Sequence, residues 1–195
     1  MNKITSKEIK NYIEINLSEK RFKHSLGVAN EAKKLAQIYN ANEEKAFFAG
    51  LAHDLAKELN FEKVEKILKD SGFENLSEKY SQPLIHGPVA AVMLKKEFKI
   101  LDEEILDAVF YHTTGKENMP LLTKIIYTAD FTEDGRAFCE SKKAREISYK
   151  NLDDAIIYIS GCVIINTVER GNIIHPDTVF TRNYLLKQKE LKNIK

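Results

Sequence analysis

The stretch Gly50-Leu51-Ala52-His53-Asp54-Leu55-Ala56-Lys57 decides how the rest of the chain is read. Its apolar positions are mostly small, so the helix that carries them packs tightly, and His53 and Asp54 emerge from it side by side as candidate ligands. Working outward, Asn42 with Glu43-Glu44 starts this helix, which passes Phe47, Gly50 and His53 to about Lys57. Upstream, Ser18 caps a helix in which Phe22, Leu26, Ala29, Ala32 and Ala36 recur at spacings of three and four, and Thr5-x-x-Glu8 reads as a capping box opening a first helix to about Leu17. Downstream, Asn60 caps a helix to Asp70 before Gly72, and periodicity weakens from Gly72 to Pro83. Pro88 then fits the first turn of a helix from Val89 to Phe98, with His86 preceding or opening it. Asp102 opens a helix carrying Ile105, Val109 and His112 to a stop at Gly115; Pro120 opens one carrying Leu122, Ile125, Ile126 and Ala129, with Asp130 near its end. Asn151 to Arg170, closed by Gly171, and Pro176 to about Lys192 complete the series, and no segment alternates as a strand should. The expected fold class is all-α.

Composition narrows the function. With 30 Lys+Arg against 29 Asp+Glu, no bulk charge draws the chain to nucleic acid or to a membrane surface. A chain of 195 residues is the size of one ordinary domain, and 8 Gly and 4 Pro leave little turn material for a hairpin-rich β fold. Cys139 and Cys162 form neither a disulfide framework nor a zinc ribbon, which points to a reducing compartment. The first seven residues hold no apolar leader core, and the longest apolar run, Ala155 to Ile165, falls well short of the ~18 residues that span a bilayer. A soluble, cytoplasmic protein without membrane partners is expected.

The chemistry lies in the histidines. His24, His53-Asp54, His86, His112 and then Asp130 follow one another at intervals of about one helix plus a loop, so each step of the series comes from a different helix. A helical bundle can aim such side chains from facing helices at one interior point. Taken singly, a histidine on an apolar helix face is more often a hydrogen-bonded core or surface residue, and one His-Asp pair is a weak motif. Together, four imidazoles and two carboxylates suit two metal ions.

This order resembles the H…HD…H…H…D series of the HD-domain metal-dependent phosphohydrolase superfamily. Arg21-Phe22-Lys23-His24-Ser25, His53-Asp54-Leu55-Ala56-Lys57, His86-Gly87-Pro88-Val89-Ala90-Ala91, His112-Thr113-Thr114-Gly115 and Ala129-Asp130 are further similar to its YqeK-type branch, the bacterial symmetrical bis(5'-nucleosyl)-tetraphosphatases. The likeness continues into His175-Pro176-Asp177-Thr178 and Arg182-Asn183, spanning roughly Lys20 to Leu186. It departs after Asp130, where Phe131-Thr132-Glu133-Asp134-Gly135-Arg136 replaces the branch's usual aliphatic-Glu-Pro-x-Arg, with Glu133 and Arg136 in register.

The resemblance implies a single HD domain over residues 1–195, its metal-binding core at about 18–136 and its C-terminal helices 142–192 packed on that core. It implies one metal on His24, His53, Asp54 and Asp130, with Asp54 bridging to a second on His86 and His112. The metals are divalent or trivalent, iron by the branch, with manganese, cobalt and nickel compatible with nitrogen and oxygen donors. It implies a metal-bridging hydroxide attacking phosphorus and diadenosine tetraphosphate cut to two ADP. Around this centre, Lys57 and Arg21 lie one helical turn from His53 and His24, and Arg136 follows Asp130, so all three are candidates to hold phosphate. Gly87 at a helix start can offer backbone N–H groups to an anion, and Thr113 and Thr114 can offer hydroxyls. Thr178, Arg182 and Asn183 are candidates to close the pocket, and Tyr80, Tyr111, Tyr127 and Phe131 to stack a base, although core packing is the commoner use of such rings. His175, ahead of Pro176 at a helix start, is read as a packing corner outside the centre. The rival readings are a phosphohydrolase of another nucleotide, a monophosphate or signalling nucleotide, and a non-catalytic nucleotide or metal sensor.

Overall fold

A computed structural model describes residues 6–193, and Thr5 of the expected capping box lies outside them. Among the described residues every regular element is an α-helix: α1 (Ser6–Asn16), α2 (Glu19–Ile38), α3 (Glu43–Ala52), α4 (Phe61–Lys69), α5 (Glu74–Lys79), α6 (Gln82–Lys96), α7 (Glu103–Phe110), α8 (Leu121–Thr132), α9 (Cys139–Ser148), α10 (Leu152–Glu169) and α11 (Pro176–Asn193). The all-α expectation holds. Five starts form by side-chain capping at the expected residues, each accepting a bond from a backbone N–H in the first turn. Ser18 accepts from Arg21, Asn42 from Lys45, Asn60 from Lys63, Asp102 from Glu104 and Asn151 from Asp154.

The core forms where α2 lies against α3 and α8, with α7 closing the far side against α3, α6 and α8. Val28, Ala29, Ala32, Leu35 and Ala36 of α2, Ala49 to Ala52 of α3 and Ile125, Ile126 and Ala129 of α8 are all buried there. Outside this core, α10 packs against α8, α9 and α11. No described helix is long and apolar enough to cross a membrane.

Three boundaries differ from the sequence reading. Helix α3 stops at Ala52, and the chain continues in i→i−3 turns, Leu55 N–H to Ala52 O and Lys57 N–H to Asp54 O. The apolar pattern runs on through buried Leu55 and Ala56, so periodicity hides the end of the helix. Helix α6 begins at Gln82: Pro83 takes the first-turn place expected of Pro88, which sits inside the helix and costs it one hydrogen bond. Helix α7 ends at Phe110, leaving His112 in the turn that Gly115, at φ 68°, brings to a stop. Helix α5 lies in the stretch of weak periodicity, and α9 begins at Cys139, slightly ahead of the C-terminal helices expected over 142–192.

Two glycines set how closely the helices approach. A Cβ on Gly50 would stand 2.8 Å from the Ala29 Cα, so its absence lets α3 lie on the backbone of α2. A Cβ on Gly87 would stand 2.7 Å from the Phe110 carbonyl and 3.2 Å from His112 Nδ1. These contacts bring His53 beside His24 and His86 beside His112, with ring centroids 5.3 and 4.7 Å apart.

Candidate metal centre

The six proposed ligands come from five places in the chain and meet at Asp54. His24 stands on the second turn of α2, His53 and Asp54 just past α3, His86 inside α6, His112 just past α7, and Asp130 in the last turn of α8. Asp54 Oδ1 is 3.0 Å from His86 Nε2 and 3.8 Å from His112 Nε2. Its other oxygen, Oδ2, is 3.4 Å from His53 Nε2 and 3.8 Å from His24 Nε2. Asp130 Oδ1 completes the second group, 3.0 Å from His24 Nε2 and 3.8 Å from His53 Nε2. One carboxylate therefore presents a different oxygen to each of two donor clusters.

Hydrogen bonds on the far side of the rings fix which nitrogen faces the centre. His53 Nδ1 donates to the Gly50 carbonyl at 2.7 Å and His112 Nδ1 to the Val109 carbonyl at 2.8 Å. A carbonyl only accepts, so the proton sits on Nδ1 and Nε2 keeps its lone pair. His53 Nε2 is fully buried and has no hydrogen-bond partner, an arrangement a folded core tolerates poorly unless the lone pair has a use. His24, His53 and Asp130 bring three donor atoms within 4.8 Å of one another, and so do His53, Asp54 and His112. Lone pairs and carboxylate oxygens converging at that spacing, without thiolates, fit a hard-to-borderline divalent cation.

Charge at the centre follows from the same contacts. Burial alone would raise the Asp54 pKa, but the neighbouring imidazoles of His53 and His86 outweigh it and hold the carboxyl well below its usual range. Asp130 is held down in the same way, against its burial, by His24, His53 and Arg136. Burial, with the neighbouring rings, pushes His112 well below the ordinary imidazole value, and burial also lowers His86. His24 differs: burial works to lower it, but hydrogen bonds to Asp130 and Glu133 prevail and push it up to about 9. A cation at His24 Nε2 would take the place of that proton.

The candidate phosphate groups divide. Arg21 donates to Asp54 Oδ2 at 2.7 Å and Arg136 to Asp130 Oδ1 at 2.9 Å, so both touch proposed ligands. Lys57 Nζ lies 3.2 Å from His86 Nε2 and 3.9 Å from Asp54 Oδ1, reached from a turn rather than from the helix face expected of it, and burial lowers its pKa. Thr113 Oγ1 lies 3.1 Å from His112 Nε2, at the centre. Thr114 does not serve as a free donor, because it is buried and its hydroxyl bonds the Gly115 carbonyl. Gly87 is corrected too: it is buried within α6, not at a helix start, and its role is the close approach to α7.

Of the candidate stacking rings, Tyr127 is buried in the core, Phe131 packs edge-on to Phe138, and Tyr111 packs against Phe110. The Tyr80 and His175 rings pack at a tilt of 41° with centroids 4.3 Å apart, and His175 also meets the Asp177 N–H and carboxylate. Thr178 is buried, Arg182 half-buried and Asn183 exposed on α11. The residue that sequence reasoning passed over is Glu133, 4% exposed, whose Oε1 lies 3.1 Å from His24 Nδ1. Its register with Arg136 after Asp130 was the only available signal. Beside the centre, Arg21, His24, Glu133 and Arg136 line a cavity of about 660 Å³, with Lys20, Lys23 and Lys34 set against the carboxylates of Glu31 and Asp134.

A helical bundle that aims imidazoles and carboxylates from five separate elements at one buried point defines a class, the all-α domains that bind divalent metal. The HD-domain family matches residues 21–134, and the chain belongs to that family. It is 35% identical over 170 residues to the symmetrical bis(5'-nucleosyl)-tetraphosphatase of Staphylococcus aureus, covering 86% of this chain and 88% of that protein. A protein of the same name from Halalkalibacterium halodurans is 35% identical over 179 residues, 90% of this chain and 94% of its own. Among solved structures, a predicted HD superfamily hydrolase involved in NAD metabolism from Clostridium acetobutylicum superimposes with a TM-score of 0.91 at 40% identity, covering 96% of this chain and all of that one.

Proposed function

We propose that this protein is a metal-dependent hydrolase of dinucleoside polyphosphates that cuts symmetrically, diadenosine tetraphosphate and water giving two ADP. The observation that carries the reading is Asp54, whose two carboxylate oxygens face two separate sets of donors. Likeness to the two named tetraphosphatases over most of the chain supports the substrate. His24, His53, Asp54 and Asp130 would hold one metal, and Asp54, His86 and His112 the other. Iron is the metal we assign, with manganese, cobalt and nickel as alternatives for the same donors. Such ions supply Lewis acidity and make water a competent nucleophile near neutral pH.

The chain's own groups do the rest. Asp54, kept ionised by His53 and His86, bridges the two halves of the centre. Arg21 and Arg136 anchor proposed ligands and line the cavity, so their remaining N–H groups can grip phosphate oxygens. Lys57, beside His86, neutralises charge that grows on the phosphoryl oxygens. Thr113 adds a hydroxyl at the same edge. The oxygen of water joins one central phosphorus as that atom's bond to the central bridging oxygen breaks, so each half departs as ADP. The whole chain acts as one HD domain, its core at about 18–136 carrying the centre and helices 142–192 backing it, in the cytoplasm.

The test is anion-exchange analysis of products from diadenosine tetraphosphate, with metal-stripped protein as the control. ADP alone, lost on stripping, is expected. ATP with AMP would mean an asymmetric cut, and no product from metal-loaded protein would redirect the search to other nucleotides and then to a sensor.

A further inference from the structure

His24 is oriented differently from His53 and His112. His53 and His112 bond carbonyls three residues upstream in their own segments, so their ring angles are set locally. His24 Nδ1 instead meets Glu133 Oε1, a carboxylate 109 residues away on the corner that follows α8. That carboxylate sits in a slot cut by two glycines. A Cβ on Gly27 would stand 2.5 Å from Glu133 Oε2, and one on Gly135 would stand 2.9 Å from the same atom. The Gly135 N–H donates to Oε2 at 2.6 Å and fixes the carboxylate plane. The corner is held from a third element: Arg145 of α9 donates to the carbonyls of Thr132 and Glu133 and pairs with Asp134 at 3.2 Å.

We propose that Glu133 is a positioning residue: seated between Gly27 and Gly135 on a corner clamped by Arg145, it sets the orientation and donor strength of His24, and so governs the metal position at His24 and Asp130 but not the one at His86 and His112. A carboxylate behind a ligating imidazole fixes its tautomer and strengthens it as a donor, and losing such a partner weakens metal binding about 10–100-fold. The role rests on the two-metal reading above. Arg145 acts one step further out, through the backbone that carries Glu133.

The experiment is a cobalt titration of metal-stripped, full-length protein, followed by visible absorption and by bound metal after gel filtration. Wild type is expected to take two ions. Glu133→Ala should bind one ion as wild type does and the other about 10–100-fold more weakly. Glu133→Gln, which still accepts from Nδ1 but carries no charge, should recover part of the loss. Gly27→Ala, which crowds the carboxylate without removing any polar group, should weaken the same ion and keeps the test alive if Glu133→Ala fails to fold. Two ions bound with wild-type affinity by Glu133→Ala, or both weakened equally, would overturn the positioning role. A wild type that takes a single ion would instead overturn the two-metal reading.

Discussion

The two sides of Asp54 are built on different plans. On the Oδ1 side, His86 and His112 are at most 2% exposed, seated by the Gly87 contact between α6 and α7. On the Oδ2 side, the Asp130 side chain is 25% exposed, and that side opens on the cavity lined by His24, Arg21 and Arg136. Close helix packing makes the first side, whereas the second adds to the Gly50 contact the long-range polar contacts of His24 with Asp130 and Glu133. The sealed side is therefore suited to holding a cation firmly, and the open side to meeting an anionic substrate, because a charge at a wet edge can be both bound and released.

That contrast can be broken or sharpened by substitution. The largest effect belongs to the residue the sides share: Asp54→Ala should abolish turnover and strip bound metal, measured by elemental analysis beside the product assay, and normal activity would end the dinuclear assignment. Lys57→Ala should keep bound metal yet lower kcat by about 10²–10³-fold, as losing one donor to developing charge does; loss of metal would mean that Lys57 supports the ligands instead. Gly87→Ala presses on the sealed side alone. It should cost about 1–3 kcal/mol of stability in a denaturant melt and weaken metal binding at the position proposed for His86 and His112, while an unchanged melt would show that α6 and α7 can separate freely. Arg136→Ala acts on the open side alone and should raise KM about tenfold, the worth of one charge-assisted bond. Smallest is His175→Ala, which removes a ring from Tyr80, lowers stability by about 0.5–1.5 kcal/mol and leaves metal content and kcat as they were.

Much of this was legible in the sequence, and the exceptions have physical causes. Ser18, Asn42, Asn60, Asp102 and Asn151 announced their helices because capping is a local interaction, complete within four residues. The end of α3 was not legible, since Leu55 and Ala56 keep an apolar pattern after the hydrogen-bond ladder has changed. Pro83 and Pro88 offered two starts for α6, and position alone does not choose between them. The order of histidines singled out the six residues that meet at the centre. It could not say which oxygen of Asp54 faces which ring, nor that Glu133 stands behind His24, because both depend on residues brought together from distant parts of the chain.

The close contacts at Gly50 and Gly87 carry a lesson for anyone who would transplant this centre. Copying the six donors onto another helical scaffold would reproduce the chemistry of the ligands but not their spacing. Here the spacing is written in two missing methyl groups, one against Ala29 and one against Phe110. A graft would have to carry those two notches with it, or its helices would stand too far apart for one carboxylate to serve both halves.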